Sequence, residues 1–278
     1  RFGFEHRPEN KPLELDDGSV DLREVSSYSV VNQGQSLASK TERTKGTNGR
    51  AVTGRVLIAE DGRDVTMRAG SNAELSPDGM SIVALATGQP LLEGNRVSVR
   101  PVLEIKGDVD FSTGNICFPG SVKIVGNVNM GFSVAAGRDV EIWGQVEGGT
   151  VEALGNVTIR GGVRSRARVA GGANVSLRFI DSDSFVYSGG TIVIGDSAID
   201  SHLHAALAIK IGRKLVGGSL VAGDHVSAGA CGSPRGNPTR IDFRRTELSW
   251  MLDKLKQELE DLHWVLFSAP FEAQSGRS

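Results

Sequence analysis

A short motif, made of an aliphatic residue, any residue and a second aliphatic residue, recurs along the middle of this chain. The first residues of its seven copies, of which the last is the weakest, are Val122, Val140, Val157, Val175, Ile192, Ile209 and Val226. Their positions advance by 18, 17, 18, 17, 17 and 17 along the sequence. Repetition at a fixed period is the signature of a solenoid, in which each repeat forms one turn that stacks on its neighbour. We therefore predict a β-solenoid from Leu103 to about Gly229.

Each turn of this solenoid is expected to have three sides. In the first three repeats an aliphatic residue recurs every five or six positions, at Val122, Val128, Val134, Val140, Val146, Val151, Val157, Val163 and Val169. Because side chains alternate along a strand, the outer residues of a triplet can face the interior while the middle one faces solvent. The middle residues are Lys123, Glu141, Thr158, Ser176, Val193, Lys210 and Ser227, of which six are polar. Stacking at about 4.8 Å would set Lys123 against Glu141 as an opposite-charge pair.

Glycine positions fit the corners of such a turn. The chain has 36 glycines, about double the usual share of roughly 7%. One set follows the triplets, at Gly126, Gly144, Gly161 and Gly195, and a second set ends the third sides, at Gly137, Gly155, Gly171 and Gly189. Since glycine tolerates tight turns, we interpret both sets as corner residues. With few aromatic and many Val and Ile residues, the chain is predicted to be mainly β.

Different patterns flank the repeat. Residues 1–102 contain short alternating runs broken by Gly, Asn and Asp, which predict a small β domain. A solenoid leaves an unpaired edge at each end, so we expect this domain to cover the first turn. Residues 230–240 are turn-rich and predict a linker.

Beyond the linker, leucines recur at steps of 4, 3, 4, 3 and 4, at Leu248, Leu252, Leu255, Leu259, Leu262 and Leu266. This is the spacing of a coiled-coil seam, and it predicts a helix over 241–269. So short a helix is marginal alone, and we therefore expect it to pack on a second helix or on a copy of itself.

Charge and cysteine content argue against several function classes. With 31 basic and 33 acidic residues, no overall field favours nucleic acid or an anionic membrane. Cys117 and Cys231 are too few and too far apart to indicate a disulfide framework or a zinc finger. The sequence has no apolar run of membrane-spanning length and no signal-peptide pattern, and it begins at Arg1 without Met, as an excised fragment would. We expect a cytoplasmic protein that does not insert into a membrane.

The sequence shows no catalytic motif, and we predict no enzyme activity, cofactor or metal. His202 and His204 have a spacing that a metal site can use, but no Cys, Asp or Glu cluster accompanies them in the repeat, so we interpret them as surface or corner residues. Six-residue aliphatic spacing also marks left-handed hexapeptide acyltransferases, which use a histidine as base. Those repeats favour a small residue directly after the aliphatic position, where this chain has Lys123 and Glu141. An acyltransferase or a carbohydrate-active solenoid that uses His202 or His204 is therefore the less favoured alternative.

An arginine group is the best-defined candidate for binding. Arg164, Arg166 and Arg168 alternate within one repeat, with Arg178 in the next. Alternation predicts that the first three share one outer face, where they would suit an acidic protein partner or a phosphate. A solvated outer face explains the same pattern without any partner.

Several segments resemble the flagellar assembly protein A family. The matching stretches are GTNGRAVTG (46–54), LSPDGMSIVALATGQP (75–90), VSVRPVLEIKGDVDFSTGNICFPGSVKIVGNV (97–128), GRDVEIWGQVEGGTVEALGNVTIRGGV (137–163) and CGSPRGNPTRI (231–241). The resemblance covers roughly Val31 to Leu266. It implies a right-handed triangular β-helix followed by a coiled coil, a bacterial cytoplasmic location, and a scaffolding or regulatory role in flagellar assembly or positioning. The family offers no catalytic motif to carry over, and protein partners are expected. A bactofilin-like filament former, which is also a short-rung β-helix, is a further alternative and adds self-association to the expected behaviour.

Overall fold

The computed structural model describes residues 2–5, 13–14, 20–21, 23, 28–234 and 236–243. Within these ranges the chain forms β-strands and no helix, and hence no helix that is long and apolar enough to cross a membrane. The leucine seam from Leu248 to Leu266 lies outside the described residues.

Short strands precede the solenoid. Their bounds are β1 Phe2–Phe4, β2 Leu13–Glu14, β3 Val20–Asp21, β4 Ser36–Lys40, β5 Gly49–Arg50, β6 Val56–Leu57, β7 Arg68–Ala69, β8 Ala73–Leu75, β9 Ser81–Ala84, β10 Gln89–Glu93 and β11 Arg96–Arg100. They form one sheet in the order β1-β4-β9-β8, a second in the order β10-β11-β7, and the hairpins β2-β3 and β5-β6. A separate apolar core holds this region together, formed by Val31, Leu37, Ala38, Met67, Ala73, Ile82, Ala84, Val97 and Val99.

The solenoid strands follow without interruption by other elements. Their bounds are β12 Val102–Ile105, β13 Ile116–Phe118, β14 Ser121–Ile124, β15 Ser133–Ala136, β16 Val140–Ile142, β17 Val146–Glu147, β18 Thr150–Ala153, β19 Val157–Arg164, β20 Arg168–Gly171, β21 Val175–Ile180, β22 Phe185–Ser188, β23 Ile192–Ile194, β24 Ser197–Ile199, β25 His202–Ala205, β26 Ala208–Val216, β27 Gly218–Ala222, β28 His225–Cys231 and β29 Thr239–Phe243. All pairings among them are parallel, as expected when each strand stacks on its counterpart one turn away.

Each turn, or rung, has three sides, as predicted. The first side contains the triplets, with Val122 paired to Val140 and Val140 to Val157. The second side stacks Val128, Val146 and Val163, and the third stacks Val134, Val151 and Val169. All nine of these side chains are at most 1% exposed. The third side is a sheet of eight strands in the order β13-β15-β18-β20-β22-β25-β27-β29, so the solenoid has eight rungs, numbered 1 to 8 from this order.

The solenoid starts within one residue of the predicted Leu103 and extends beyond the predicted end at Gly229. Leu103 pairs with Val122 across a longer step than any in the triplet series. At the other end β29 pairs with β27 and completes rung 8. The predicted end at Gly229 and helix start at residue 241 are therefore wrong, because residues 232–234 and 236–238 belong to a loop within a rung rather than to a linker after the last one.

A column of glycines runs along the corner between the first and second sides. The N–H of Gly144 donates to the carbonyl of Gly126, and that of Gly161 donates to the carbonyl of Gly144. A Cβ atom on Gly144 or Gly161 would lie 2.4 or 2.3 Å from the carbonyl oxygen of the preceding glycine. Neither residue has a positive φ, so close approach of two backbones, and not a special turn conformation, requires glycine here. Gly171 is an exception to the predicted corner placement, because it ends β20 and pairs with Ala153.

Side-chain ladders complete another corner. The N–H of Asn156 donates to Oδ1 of Asp139 (2.8 Å), that of Asn174 to Oδ1 of Asn156 (3.2 Å), and that of Thr191 to Oδ1 of Asn174 (3.0 Å). Each side chain thus provides an acceptor for a corner N–H of the next rung.

The N-terminal region covers the third-side edge of rung 1, as expected. The hydroxyl of Tyr28 donates to the carbonyl of Cys117 (2.9 Å) and accepts from its N–H (2.7 Å). The ring of Tyr28 lies edge-on to Phe118, and the N–H of Asn115 donates to the carbonyl of Arg23 (2.6 Å). One tyrosine therefore bonds both backbone groups that a further strand would take at Cys117.

Candidate functional site

The outer face of the first side is polar and internally paired. Lys123 and Glu141 are backbone neighbours as predicted, but the ammonium of Lys123 pairs with Glu104 (Nζ to Oε1, 3.1 Å). Glu141 instead accepts from Arg160 (2.7 Å from Nη2) and from Nε1 of Trp143 (2.9 Å). Lys123 and Arg160 both lie over the Trp143 ring, 4.8 and 4.6 Å from its centroid. The charges of this face therefore largely satisfy one another.

The same contacts shift the ionisation of Glu141. The hydrogen bond from Arg160 holds the pKa of this carboxyl below its usual value of 4.5, and the Trp143 indole and the charge of Lys123 act in the same direction. Partial desolvation opposes the shift without cancelling it.

The predicted arginine group does not share one strand face. Arg164 ends β19, Arg166 lies in the following turn with a φ of 59°, and Arg168 begins β20. The turn at Ser165 and Arg166 breaks the alternation, so the three side chains surround the corner between the second and third sides of rung 4. Arg178 lies in β21 of rung 5, near the corner between the first and second sides.

Neighbouring rungs provide carboxylates for two of these arginines. Arg164 lies 3.5 Å from Asp181, and Arg166 lies 3.8 Å from Asp183. These pairs are exposed, and the Arg166 side chain is 82% exposed. Exposed ion pairs contribute little to stability, so a partner's carboxylates can compete for these arginines.

Aromatic and polar side chains stack at one position of rungs 4 to 7. The Arg168 guanidinium lies 5.4 Å from the centroid of the Phe185 ring, and Phe185 stacks on His202 at 4.5 Å with 14° between the planes. Nδ1 of His202 is 2.7 Å from Oγ of Ser219, and Nε2 is 2.8 Å from Oδ1 of Asp183. The sequence did not reveal this Asp, His and Ser chain because its members come from three different rungs.

His202 links three consecutive rungs through its hydrogen bonds to Asp183 and Ser219. An oxyanion site needs backbone or side-chain donors aimed at the developing charge. The N–H of Ser219 is bound within the ladder, where it donates to the carbonyl of Ser201 (2.9 Å). His204 is tilted against Tyr187, with ring centroids 5.3 Å apart. Among the residues that the structure describes, no group of three His, Cys, Asp or Glu side chains is placed to hold a metal ion.

An apolar groove of about 720 Å³ follows the third side from rung 1 to rung 6. Its floor is the outward column of this side, formed by Cys117, Ala135, Glu152, Ala170, Tyr187 and His204. Gly137, Leu154 and Gly172 line it at the adjacent corner. We name this feature the third-side groove. Leu154 and Tyr187 are 61% and 46% exposed.

The sequence also carries a signal for this groove. The third-side triplets recur at the same period as those of the first side, and their middle residues include the apolar Ala135, Ala170 and Tyr187, with Glu152 as the carboxylate among them.

Both the N-terminal region and the solenoid match profiles of known protein families. The profile of the Flagellar Assembly Protein A beta solenoid domain matches residues 101–265, which is more than half of the chain. The profile of the Flagellar Assembly Protein A N-terminal region matches residues 1–95. No curated protein and no solved structure matches the chain.

Proposed function

The chain belongs to the flagellar assembly protein A family, and on this basis we propose that it is a non-enzymatic scaffold or regulator of flagellar assembly or positioning. It acts by binding protein partners in the bacterial cytoplasm. The observation that carries this proposal is a solenoid whose outer sides differ in chemistry: one polar and self-paired, one corner rich in arginine, and one apolar. The family resemblance also supports a right-handed coil and a leucine-seamed helix after Phe243.

Rigid rungs suit this role for a physical reason. Each outward side chain is held by a strand that is paired on both sides and by an interior column that is closely packed. Side chains on such elements lose little conformational entropy when a partner binds. The solenoid can therefore present several contacts at fixed spacing without reorganising.

The arginine-bearing corner is the surface proposed for an acidic partner. Arg164, Arg166 and Arg168 project around one corner of rung 4, with Arg178 on the next rung. Their exposed ion pairs are exchangeable, and guanidinium groups bind carboxylates through paired hydrogen bonds.

Co-purification from the native bacterium tests the proposal. The tagged full-length protein, expressed from its own gene, is cross-linked and isolated, its partners are identified by mass spectrometry, and flagella are counted by electron microscopy. We expect components of the flagellar apparatus with the natural protein and their loss with the double variant Arg166→Glu and Arg168→Glu. Lys210→Glu, which reverses an exposed charge on the first side, is the matched control. A strictly monomeric protein without protein partners, or a gene deletion that leaves flagellation unchanged, would contradict the proposal.

An acyl-transfer function has one observation in its favour, the hydrogen bonds that His202 makes to Ser219 and Asp183. It requires turnover of an acyl-CoA or activated ester that His202→Ala and Ser219→Ala both abolish while His204→Ala does not. Equal background hydrolysis by all of these proteins would exclude this function for the site.

A further inference from the structure

The chain leaves the described structure beside the third-side groove. β29 ends at Phe243, which pairs with Ala222 in the sheet that carries the groove. In earlier rungs the residues that follow this position are Gly137, Leu154 and Gly172, and these line the groove. Phe243 therefore lies in line with the groove, two rungs beyond its end at His204.

We propose that residues 248–266 of the same chain pack into the third-side groove as a helix. The helix runs back along the solenoid from rung 6 to rung 1 and places one seam leucine on each rung. In this arrangement Leu248 lies at rung 6 and Leu266 at rung 1, and the solenoid takes the place of the second helix that a coiled-coil seam requires.

The lengths agree. The six seam leucines run from Leu248 to Leu266, which is about 27 Å of helix at roughly 1.5 Å per residue. The groove spans six rungs, and five steps of about 4.8 Å give about 24 Å. Residues 244–247 must cross two rungs, about 10 Å, and four extended residues reach about 13 Å.

The periods agree as well. Seam leucines recur on average about once per helical turn, or about 5.4 Å along a helix, against about 4.8 Å between rungs. The offset accumulates to only about 3 Å over the whole groove, so each leucine stays close to its own rung.

The chemistry of the two surfaces is complementary. Small floor residues at rungs 2 and 4, Ala135 and Ala170, leave room for leucine side chains. Among the described residues that line the groove, Glu152 of rung 3 carries the only carboxylate. Lys256 stands three positions before Leu259, the leucine assigned to rung 3, and so borders the leucine seam. In the proposed register it therefore lies beside Glu152, which is on the same rung.

Disulfide trapping in the full chain tests the position of the helix. Cys117 is exposed on rung 1, and Cys231→Ser removes the other thiol. In that background, Leu266→Cys is expected to form an intramolecular disulfide with Cys117 on mild oxidation, detected by peptide mapping of the monomer. Asp261→Cys, on the opposite face of the predicted helix, is the control and is expected to form none. Dimers linked through Cys117 and the cysteine at position 266, which would mean a second copy in the groove, or equal reaction at both positions, would overturn the proposal.

A charge exchange tests the register without a new thiol. Glu152→Lys and Lys256→Glu are each expected to raise the rate of proteolysis within residues 248–266 several-fold, and the two together are expected to restore slow cleavage. Lys254→Glu, outside the seam and its flanks, is the control with the same change of charge. Equal cleavage in all of these proteins, or a double variant that is cleaved as fast as the single variants, would show that the segment binds elsewhere, for instance to a partner protein.

Discussion

Gly126, Gly144 and Gly161 show what the stacking of rungs demands of single residues. Each donates a hydrogen bond to the glycine of the preceding rung, whose backbone lies too close for a methyl group to fit between them. Gly107 begins the same column and has nothing within 4 Å of the position where its Cβ would lie. The requirement for glycine thus comes from the neighbouring rung and not from the residue's own conformation.

The glycine column gives a matched pair of substitutions. Gly144→Ala places a methyl 2.4 Å from the carbonyl oxygen of Gly126, and we expect it to lower the free energy of unfolding by about 1–3 kcal/mol, as overpacking does. Gly107→Ala meets no atom, and it should leave this free energy unchanged or raise it by up to about 1 kcal/mol. Urea unfolding followed by circular dichroism measures both. Equal effects at the two positions would contradict the close-approach explanation.

Glu141 predicts a dependence of stability on pH. Its folded pKa is below the usual value of 4.5, so its contribution is fully present above about pH 4.5 and is lost as the pH falls through the folded pKa. Because the side chain is 36% exposed, Glu141→Gln should lower the free energy of unfolding at pH 7 by only about 0.2–1 kcal/mol.

Urea titrations at pH 7 and below pH 4 measure this difference. It should disappear in acid, and Arg160→Gln should have the same effect at pH 7 without adding to Glu141→Gln. A difference between Glu141→Gln and the natural protein that is the same at both pH values would rule out the carboxylate as its source.

Strand β13 shows how an element at the end of a sheet is stabilised by a residue far away in sequence. Its neighbour on one side is β15, and on the other side the hydroxyl of Tyr28 bonds the N–H and the carbonyl of Cys117. The sequence separation of 89 residues means that this contact orders the N-terminal region and the first rung together.

Tyr28→Phe isolates the contribution of this hydroxyl. The variant keeps the ring contact with Phe118 but removes both hydrogen bonds to Cys117. Each such bond contributes about 0.5–1.5 kcal/mol, so the two together contribute about 1–3 kcal/mol, and we expect hydrogen exchange of β13 to accelerate by a factor of about 5–150. Hydrogen exchange followed by mass spectrometry measures this. Tyr187→Phe, the same chemical change on rung 5, should leave β13 unaffected, and an unchanged exchange rate in Tyr28→Phe would show that the hydroxyl does not hold the edge.

The strands were predictable where the information is local. Val140 and Ile142 flank an outward Glu141, and this alternation repeats at nearly constant period, so the rungs and their three sides follow from sequence alone. The C-terminal end was missed because a loop interrupts rung 8 before Thr239.

The outer surface was less predictable, because it depends on side chains from adjacent rungs. Lys123 has both Glu104 and Glu141 as register neighbours and pairs with Glu104, a choice that backbone register does not determine. Ser165 and Arg166 adopt positive φ without being glycines, so nothing in the sequence indicated the turn that separates the arginines.

The whole molecule is an array in which a rung contacts mainly its two neighbours. The inward columns continue from rung to rung as one core, and the corner ladders bond consecutive rungs. The outward columns, in contrast, change from one side to the next. Stability is thus distributed along the array, while the surface chemistry is specific to each side.

Removal of one complete rung tests this independence. Val140 and Val157 are register partners. Deletion of the segment 140–156 therefore joins Asp139 directly to Val157, which occupies in the next rung the position that Val140 has in its own. We expect a folded protein whose solenoid is shorter by about 4.8 Å, detected by circular dichroism and small-angle X-ray scattering. Deletion of the segment 140–148 is the control, because it removes part of a rung and exchanges the sides of everything that follows. If both deletions unfold the protein, the rungs are not interchangeable units.

The Tyr28 contact also makes the two ends of the third-side sheet different. On the third side, the sheet is closed at rung 1 by a hydroxyl group, whereas at rung 8 the inward side chains of Ile241 and Phe243 are 42% and 56% exposed among the described residues. A copy of the chain cannot pair with this sheet at Cys117 without displacing Tyr28, so we expect the hydroxyl to disfavour head-to-tail stacking of copies through the third side of rung 1.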